Sequence, residues 1–482
     1  MKKLFVFAMA LAFIAVPLTA FGTMGQMAPK SNDINVSWFG SLKTYPSWNS
    51  DLDFGGGGGL DYMLDENGIL ADHNVRNEIR LGWKGGNDSF DFMIILEADF
   101  NLDKNNTDRG ANKKGATFAM LDDQGMTGDD FGVEKLDIGY NFGPFRIHTG
   151  WTTRWLDIQT GGLVYGDDHP YIGLTGKIGE NFSWEADYTI VYDATDKSTS
   201  TTPFEGDNLD WRFYSVKGMY KIPDGFAKGF VISPFYAFSD NNDSQNNAQV
   251  SYFGLEGYGK LGMFTPRFEI AYADGDTDKD TSGRDYDISA MAAYASVDIE
   301  ICPSFIPYLG IKWEEGDDDP NDDDIDAFNA ITDISRYTPT FGMENAIVYR
   351  YITSLGSHLY SGNFNRIGTQ PGYGGISNSS RGDAPGLLMW GVGFKGKYDK
   401  WSYKVQYMDF QYDEEPIGLD GTPTDDEVGQ ELDIRVAYAF SNHFTIANCF
   451  AAFDPGDGVE DRLGSEFDDT ALVNTIELIW SW

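Results

Sequence analysis

The sequence contains few cysteines, few histidines and no long apolar run beyond its first residues. Cys302 and Cys449 are the only cysteines among 482 residues. We place the first in a turn and the second in a strand, so no disulfide is expected between them. Five histidines without a nucleophile motif predict that the chain is not an enzyme. Mean hydropathy is −0.36, and no later stretch approaches the ~18 apolar residues of a membrane helix, which excludes a helical membrane protein.

Basic residues are also scarce. The chain has 35 Lys and Arg against 75 Asp and Glu, a formal charge of −40, which excludes nucleic acid as a partner. By contrast, 15% of the residues are aromatic and 56 are glycine. Low mean hydropathy with many aromatic residues and glycines is typical of transmembrane β-barrels, because only every second residue of each strand faces lipid.

The N-terminus has the features of a secretory signal peptide. Lys2 and Lys3 precede an almost unbroken apolar run from 4 to 16, and small residues follow at Ala20 and Gly22. This pattern predicts a signal peptide over residues 1–22, cut near 20 or 22. The mature chain, 23–482, is predicted to be a single barrel domain in the outer membrane of a Gram-negative bacterium.

Eighteen segments alternate apolar and polar residues with period two. Short turns such as 143–144 and 399–400 alternate with long polar loops. This predicts an all-β fold, a transmembrane antiparallel up-and-down β-barrel of about 18 strands with short periplasmic turns and long extracellular loops. The predicted strands are 34–42, 75–83, 90–100, 132–142, 144–153, 171–178, 182–192, 208–221, 229–239, 248–260, 263–273, 284–299, 304–314, 387–398, 401–412, 430–440, 443–453 and 470–482.

Two details of the pattern carry further expectations. Proline inside a strand cannot donate to the ladder, so bulges or shifted boundaries are expected at Pro234, Pro266 and Pro307. The last strand ends on the aromatic Trp482, which resembles the signal that the barrel-assembly machinery reads. Segment 341–352 also alternates, but an even strand number leaves it in a loop.

On each strand, the alternate residues that do not face lipid should line the lumen. A charged side chain on the lipid face costs about 2–4 kcal/mol at the bilayer midplane, so charged residues are assigned inward. The resulting wall is mixed in sign, with a substantial basic contribution. The predicted pore-lining residues are Arg76, Arg80, Arg146, Arg154, Arg212, Arg267, Lys404, Arg435, Glu97, Asp99, Glu269 and Asp433.

One connection, 315–386, is much longer than an ordinary loop, and loops of this length are usually functional. We predict that part of it folds into the barrel and narrows the pore, with acidic groups opposite the basic wall. The alternative is a solvated outer loop. The proposed constriction residues are Asp317, Asp318, Asp319, Asp322, Asp323 and Asp324.

A second acidic segment, 274–285, has the spacing of an EF-hand calcium loop. Lys279 stands where the sharp turn of that loop needs glycine, and the flanking segments are strands rather than helices. We therefore predict no metal site and no cofactor.

Several segments carry a family resemblance. Residues 311–322 and 326–329, with the run Gly316-Asp317-Asp318-Asp319-Pro320, resemble the alginate-export family of barrels, as do segments 428–433 and 453–457. Segment 165–170 is similar to porins of sulfate-reducing and related bacteria. The resemblance implies eighteen strands and export of an acidic polysaccharide through a strongly electropositive constriction, whereas the wall predicted above is mixed in sign.

The sequence therefore predicts a porin: an outer-membrane channel for passive diffusion of small hydrophilic solutes and ions, narrowed by the acidic loop. The alternative is an alginate-export-like duct for an exopolysaccharide. The expected partners are outer-membrane lipid, lipopolysaccharide and the barrel-assembly machinery. A homotrimer is left open.

Overall fold

The computed structural model describes residues 34–51, 54, 75–101, 132–194, 209–242, 248–277, 285–318, 322–332, 337–350, 385–415, 422–465 and 467–482. The predicted signal peptide and its cleavage site lie outside these residues, as do 351–384 of the long loop. No helix among the described residues is long and apolar enough to cross a membrane.

Eighteen long antiparallel strands account for most of the described chain. The strands are β1 Asn35–Ser50, β2 Val75–Gly86, β3 Phe90–Asn101, β4 Gly132–Phe142, β5 Phe145–Trp155, β6 Gly166–Ile178, β7 Phe182–Ala194, β8 Leu209–Lys221, β9 Val231–Asn241, β10 Ala248–Tyr258, β11 Phe264–Thr277, β12 Asp287–Ile299, β13 Ile306–Glu314, β14 Leu387–Tyr398, β15 Trp401–Gln411, β16 Glu427–Ser441, β17 Phe444–Pro455 and β18 Ala471–Ser481. Two short helices, α1 Ile347–Arg350 and α2 Asp457–Leu463, and a two-residue strand, Asp324–Ile325, lie in the connections.

Each strand pairs with the next one along the chain, and the last strand closes on the first. Ser41 of β1 lies opposite Ser481 of β18, and Ser50 lies opposite Leu472. The sheet therefore has no free edge, as a barrel in lipid requires, because lipid offers no hydrogen-bond partner to an unpaired strand. The predicted eighteen-strand antiparallel barrel is confirmed.

The ladder departs from the predicted details at the prolines. Pro266 pairs with Val297 and Pro307 pairs with Phe394, with no shift of register, and Pro234 lies in an equally continuous register opposite Leu255. The expected bulges are not there, because each proline removes only its own N–H from the ladder. The alternative expectation, shifted boundaries, holds for two of these strands, since β9 begins at Val231 rather than 229 and β13 at Ile306 rather than 304. The described register shifts lie elsewhere, for example between Ile95 and Leu96.

Short and long connections lie at opposite ends of the barrel. Asn35, at the start of β1, pairs with Gly86 beside the turn 87–89. The chain end lies at the same edge, where Trp482 donates its N–H to the Gly40 carbonyl at 3.1 Å. In barrels of this type the short turns are periplasmic, so the opposite ends of the strands, where the long connections begin, are extracellular.

The outer face of the barrel is apolar. Trp38 is 69% exposed, Leu309 50% and Ile270 48%. Aromatic side chains pair near the short-turn end, where Phe444 stacks on Trp480 with ring centroids 5.0 Å apart. A closed barrel with an apolar belt and an aromatic girdle is the architecture of outer-membrane proteins, in agreement with the predicted location.

A substitution at Ile270 tests which of the two alternating sets of residues on a strand faces lipid. We expect Ile270→Arg, near the middle of β11, to lower the free energy of unfolding by about 2–4 kcal/mol, because the guanidinium would enter the lipid belt. Equilibrium unfolding from lipid vesicles measures it. Ile270→Val is the matched control and should cost no more than about 1.5 kcal/mol. Equal stability of the Arg and Val variants would contradict the assignment.

Candidate functional site: the inner wall and its two inward loops

Two connections of the described chain fold into the barrel. We call them the inner loop, residues 156–165 between β5 and β6, and the inner segment, residues 325–332 and 337–348 of the long connection. They join inside the barrel, where Ile331 donates its N–H to the Val164 carbonyl and Gly166 donates to the Thr332 carbonyl, both at 2.9 Å. Their contacts reach side chains of strands from β8 around to β18, which only a position inside the barrel allows.

Polar side chains of the wall hold the backbone of the inner segment. Lys404 on β15 donates to the Gly342 carbonyl at 2.8 Å, and the Gln406 amide donates to the Phe341 carbonyl at 2.8 Å. On β16 the Glu431 carboxylate accepts the N–H groups of Ile347 and Val348 at 2.6 and 2.8 Å. An ammonium and an amide thus donate to carbonyls and a carboxylate accepts from N–H groups, so the segment is fixed through its backbone.

Apolar packing accompanies these bonds. Phe341 lies edge-on to Tyr308 of β13 with ring centroids 5.6 Å apart. At Gly391 a Cβ would lie 2.6 Å from the Phe341 ring, so the ring needs glycine there. The inner segment buries further apolar side chains against the wall: Ile325, Ala327, Phe328, Ile331, Met343, Ile347 and Val348.

The opposite arc of the wall, from β2 to β7, consists of paired charges. Arg80 is 3.1 Å from both Glu78 and Glu134, and it also pairs with Glu97. The Arg80 side chain remains 30% exposed. The three carboxylates bind the Arg80 guanidinium from different strands, so this group keeps a fixed position beside the lumen.

The pairs continue on β4 to β7. Arg146 bonds to Asp91 at 2.5 Å and Asp137 at 2.7 Å, while Arg154 pairs with Asp187. The side chains of Arg146 and Arg154 are 24% and 17% exposed. A second layer supports the acids, since the Tyr171 hydroxyl donates to Asp137 at 2.5 Å. The result is a polar wall in which each of these arginines is held by at least one acid.

Most of the predicted pore-lining residues lie on the inner face. Those on the β2–β7 arc or at its border are Arg76, Arg80, Arg146, Arg154, Arg435 and Glu97. Those covered by the inner loop or the inner segment are Arg267, Lys404, Glu269 and Asp433. The side chain of Asp99 lies outside the described residues. The predicted role of these residues as the pore lining stays a prediction.

The structure corrects the prediction that Arg212 lines the pore. Its neighbours Trp211 and Phe213 are 1% exposed, and Phe213 packs on Tyr165 of the inner loop with ring centroids 4.3 Å apart. Because side chains alternate along a strand, Arg212 points outward near the extracellular rim, where it bonds to Asp210 at 2.6 Å. The parity rule failed here because the apolar inner loop makes the inner face of β8 apolar as well.

The acidic run of the long connection is also placed differently from the prediction. Asp318, Asp322, Asp323 and Asp324 are exposed. Asp324 pairs with Asp287 at the extracellular end of β12, so these four residues stay at the rim and do not face the basic wall.

Asp317 is the buried member of the predicted acidic set. Its carboxylate accepts the N–H of Asp326 at 3.3 Å, and Asp319 lies outside the described residues. Partial burial and the neighbouring carboxylates of Asp318 and Asp324 raise the pKa of Asp326. The part of the connection that enters the barrel is the apolar stretch that begins at Ile325.

The sequence reading missed the inner loop altogether. Its anchors include Asp157 and Thr160, which form no recognisable motif. The available signal was the apolar character of both faces of β8, with Trp211 and Phe213 on one and Tyr214 and Val216 on the other. A strand that is apolar on both faces is covered on both faces.

Among the residues that the structure describes, the cysteines and acidic groups form no metal centre. Cys302 and Cys449 are both free, as predicted. Within the described ranges, no group of three potential ligands is arranged to hold a metal ion. Asp278 and Asp280, of the segment with calcium-loop spacing, lie outside those ranges.

The fold is similar to that of solved outer-membrane proteins. No family model and no curated protein matches the chain. OpdK of Pseudomonas aeruginosa, an outer membrane protein solved with vanillate, is 11% identical over 93% of this chain and 99% of its own, with a TM-score of 0.50. OccK2 of the same organism, solved in complex with glucuronate, is 11% identical over 93% of this chain and 98% of its own, with a TM-score of 0.50. OccAB3 of Acinetobacter baumannii is 9% identical over 93% of this chain and 99% of its own, with a TM-score of 0.51. These values show the shared fold; the alginate-export resemblance stays a prediction.

Glu431 tests the anchoring of the inner segment. We expect Glu431→Ala to expose Cys449, which is buried beneath residues 343–345, because each N–H left without an acceptor costs about 1–3 kcal/mol. The measurement is the rate of labelling by a polar maleimide, with Cys302→Ser as background.

Gln430→Ala is the matched control, since Gln430 is the neighbouring residue on the outer face. Equal labelling rates in the two variants would show that Glu431 does not hold the segment.

Proposed function

We propose that the chain is a porin, a channel through which small hydrophilic solutes and ions diffuse passively across the outer membrane. The observation that carries the proposal is the arc of ion pairs on β2 to β7. The side chains of Arg80, Arg146 and Arg154 remain 17–30% exposed there. An arc of fixed, partly exposed charges suits a wet passage, whereas a packed core would bury them.

The same arc supports a preference among solutes. Each arginine keeps N–H donors beyond those that its acid occupies, and a guanidinium matches a carboxylate in geometry. OpdK was solved with vanillate and OccK2 with glucuronate, and both of those ligands are carboxylates. We therefore propose that small organic carboxylates are among the permeating solutes, with weak charge selectivity overall because the wall is paired.

Planar-bilayer recording tests both parts. We expect the refolded chain to give stepwise ohmic currents and a small reversal potential in a salt gradient. Arg146→Gln with Arg154→Gln leaves Asp137 and Asp187 without their cations, so the reversal potential should shift toward cation selectivity. Asp137→Asn with Asp187→Asn is the matched opposite and should shift it toward anions.

Two results would count against the proposal. Absence of any conductance from correctly folded chain would overturn the channel. Identical reversal potentials in both double variants would show that permeating ions do not pass the β2–β7 arc.

A further inference from the structure

A buried cluster of carboxyl groups fastens the inner loop to the wall. Asp157 of the loop, Glu256 of β10 and Glu269 of β11 are each 0% exposed. The hydroxyl of Thr160 lies 2.9 Å from Glu256 Oε1 and 2.7 Å from Glu269 Oε2. Lys217 of β8, with Nζ 2.5 Å from Glu256 Oε2, supplies the ammonium that faces these acids.

Other titratable groups near the cluster do not balance its charge. Glu185 of β7 and Tyr258 of β10 act on the same Lys217, and Tyr294 of β12 packs against Gly161. Within the described chain, three carboxyl groups therefore share one ammonium in a place closed to water. Such an arrangement favours a protonated carboxyl over three full charges.

Hydrogen-bond counting leads to the same conclusion. The carboxyl groups of Asp157 and Glu269 interact directly, and Glu269 Oε1 is buried without a hydrogen-bond donor. Two ionised carboxylates have no donor for a hydrogen bond between them. Thr160 has a single proton, yet its hydroxyl lies within hydrogen-bond distance of two carboxyl groups. The cluster thus holds at least one proton, and burial correspondingly raises the pKa of Asp157.

The protonated cluster positions the whole inner loop. Asp157 accepts the N–H of Val164 at 2.6 Å and of Tyr165 at 3.4 Å, and Glu269 accepts that of Gly161 at 3.0 Å. The Leu156 carbonyl accepts a hydrogen bond from Lys217. Because the Val164 carbonyl in turn binds the inner segment, both inward elements depend on this attachment.

We propose that the cluster of Asp157, Glu256 and Glu269 is a proton-binding latch that holds the inner loop and inner segment in the lumen. Loss of the proton leaves three carboxylates facing one ammonium, and their repulsion releases the loop and widens the passage. The latch is closed at low pH and opens as pH rises. Its electrical readout rests on the proposed channel function.

The experiment is a pH titration of unitary conductance in planar bilayers, from about pH 5 to about pH 10. The wild-type chain should show a reversible increase at alkaline pH. Glu269→Gln should lose that transition and stay at the low conductance, because the amide nitrogen donates permanently to Asp157 while the amide oxygen accepts from Gly161 and Thr160.

Two further variants separate the latch from a general loss of charge. Asp157→Asn removes the same charge but places an NH2 group beside the N–H donors of Val164 and Tyr165, so it should keep the high conductance at every pH. Glu300→Gln removes a charge in the turn between β12 and β13 and should titrate like the wild type. A wild type without an alkaline increase, or Glu269→Gln with an unchanged transition, overturns the latch.

A second readout does not need conductance. Leu163→Cys, in a chain with Cys302→Ser and Cys449→Ser, places a thiol in the buried part of the inner loop. Its labelling by a polar maleimide should accelerate at alkaline pH, and Glu269→Gln should abolish the acceleration. A pH-dependent labelling rate without current would overturn the channel and retain the latch. A rate that follows only the intrinsic ionisation of a free thiol would overturn the latch.

Discussion

Closure of the sheet is the constraint on which the rest of the structure depends. Lipid cannot satisfy an unpaired backbone group, so β18 must pair with β1, and all eighteen strands must present apolar side chains outward. The period-two alternation then leaves the other parity to the interior. A ring of eighteen strands is too wide for its own side chains to fill, so the interior holds water, inward-folding loops, or both. In this barrel, inward-folding loops cover one arc of the wall, and the charged side chains of the other arc stay partly exposed.

The arc from β8 to β18 is covered by the inner loop and inner segment, and its charges serve as anchors. Lys404 and Glu431 bind loop backbone, and Glu269 binds the loop at Thr160 and Gly161. The arc from β2 to β7 uses the same residue types differently. Arg80, Arg146 and Arg154 pair with acids on neighbouring strands and stay partly exposed. Buried charges that hold a loop and partly exposed pairs on the β2–β7 arc are therefore two uses of one polar wall.

The alternation of residues was enough to predict the barrel, because the lipid face imposes the same rule on every strand. It placed Arg146 and Asp433 on the inner face, but it failed at Arg212, where Trp211 and Phe213 pack on the inner loop and make the lumen side apolar. Charge composition likewise identified the acidic run without locating it. Asp322 to Asp324 remain at the rim because the apolar residues from Ile325 onward gain more from burial. Contacts between distant segments, such as Thr160 with Glu269, leave no periodic signal in the sequence.

The central claim is that the inward elements narrow a barrel that stands without them. Gly316 and Pro385 lie side by side, so residues 319–384 can be replaced by a short Gly-Ser linker without opening the wall. The most direct measurement is the unitary conductance of this variant against the wild type in planar bilayers. A folded variant with a clearly larger conductance is predicted. An unchanged conductance would contradict the account, because the inner segment would then not restrict the passage.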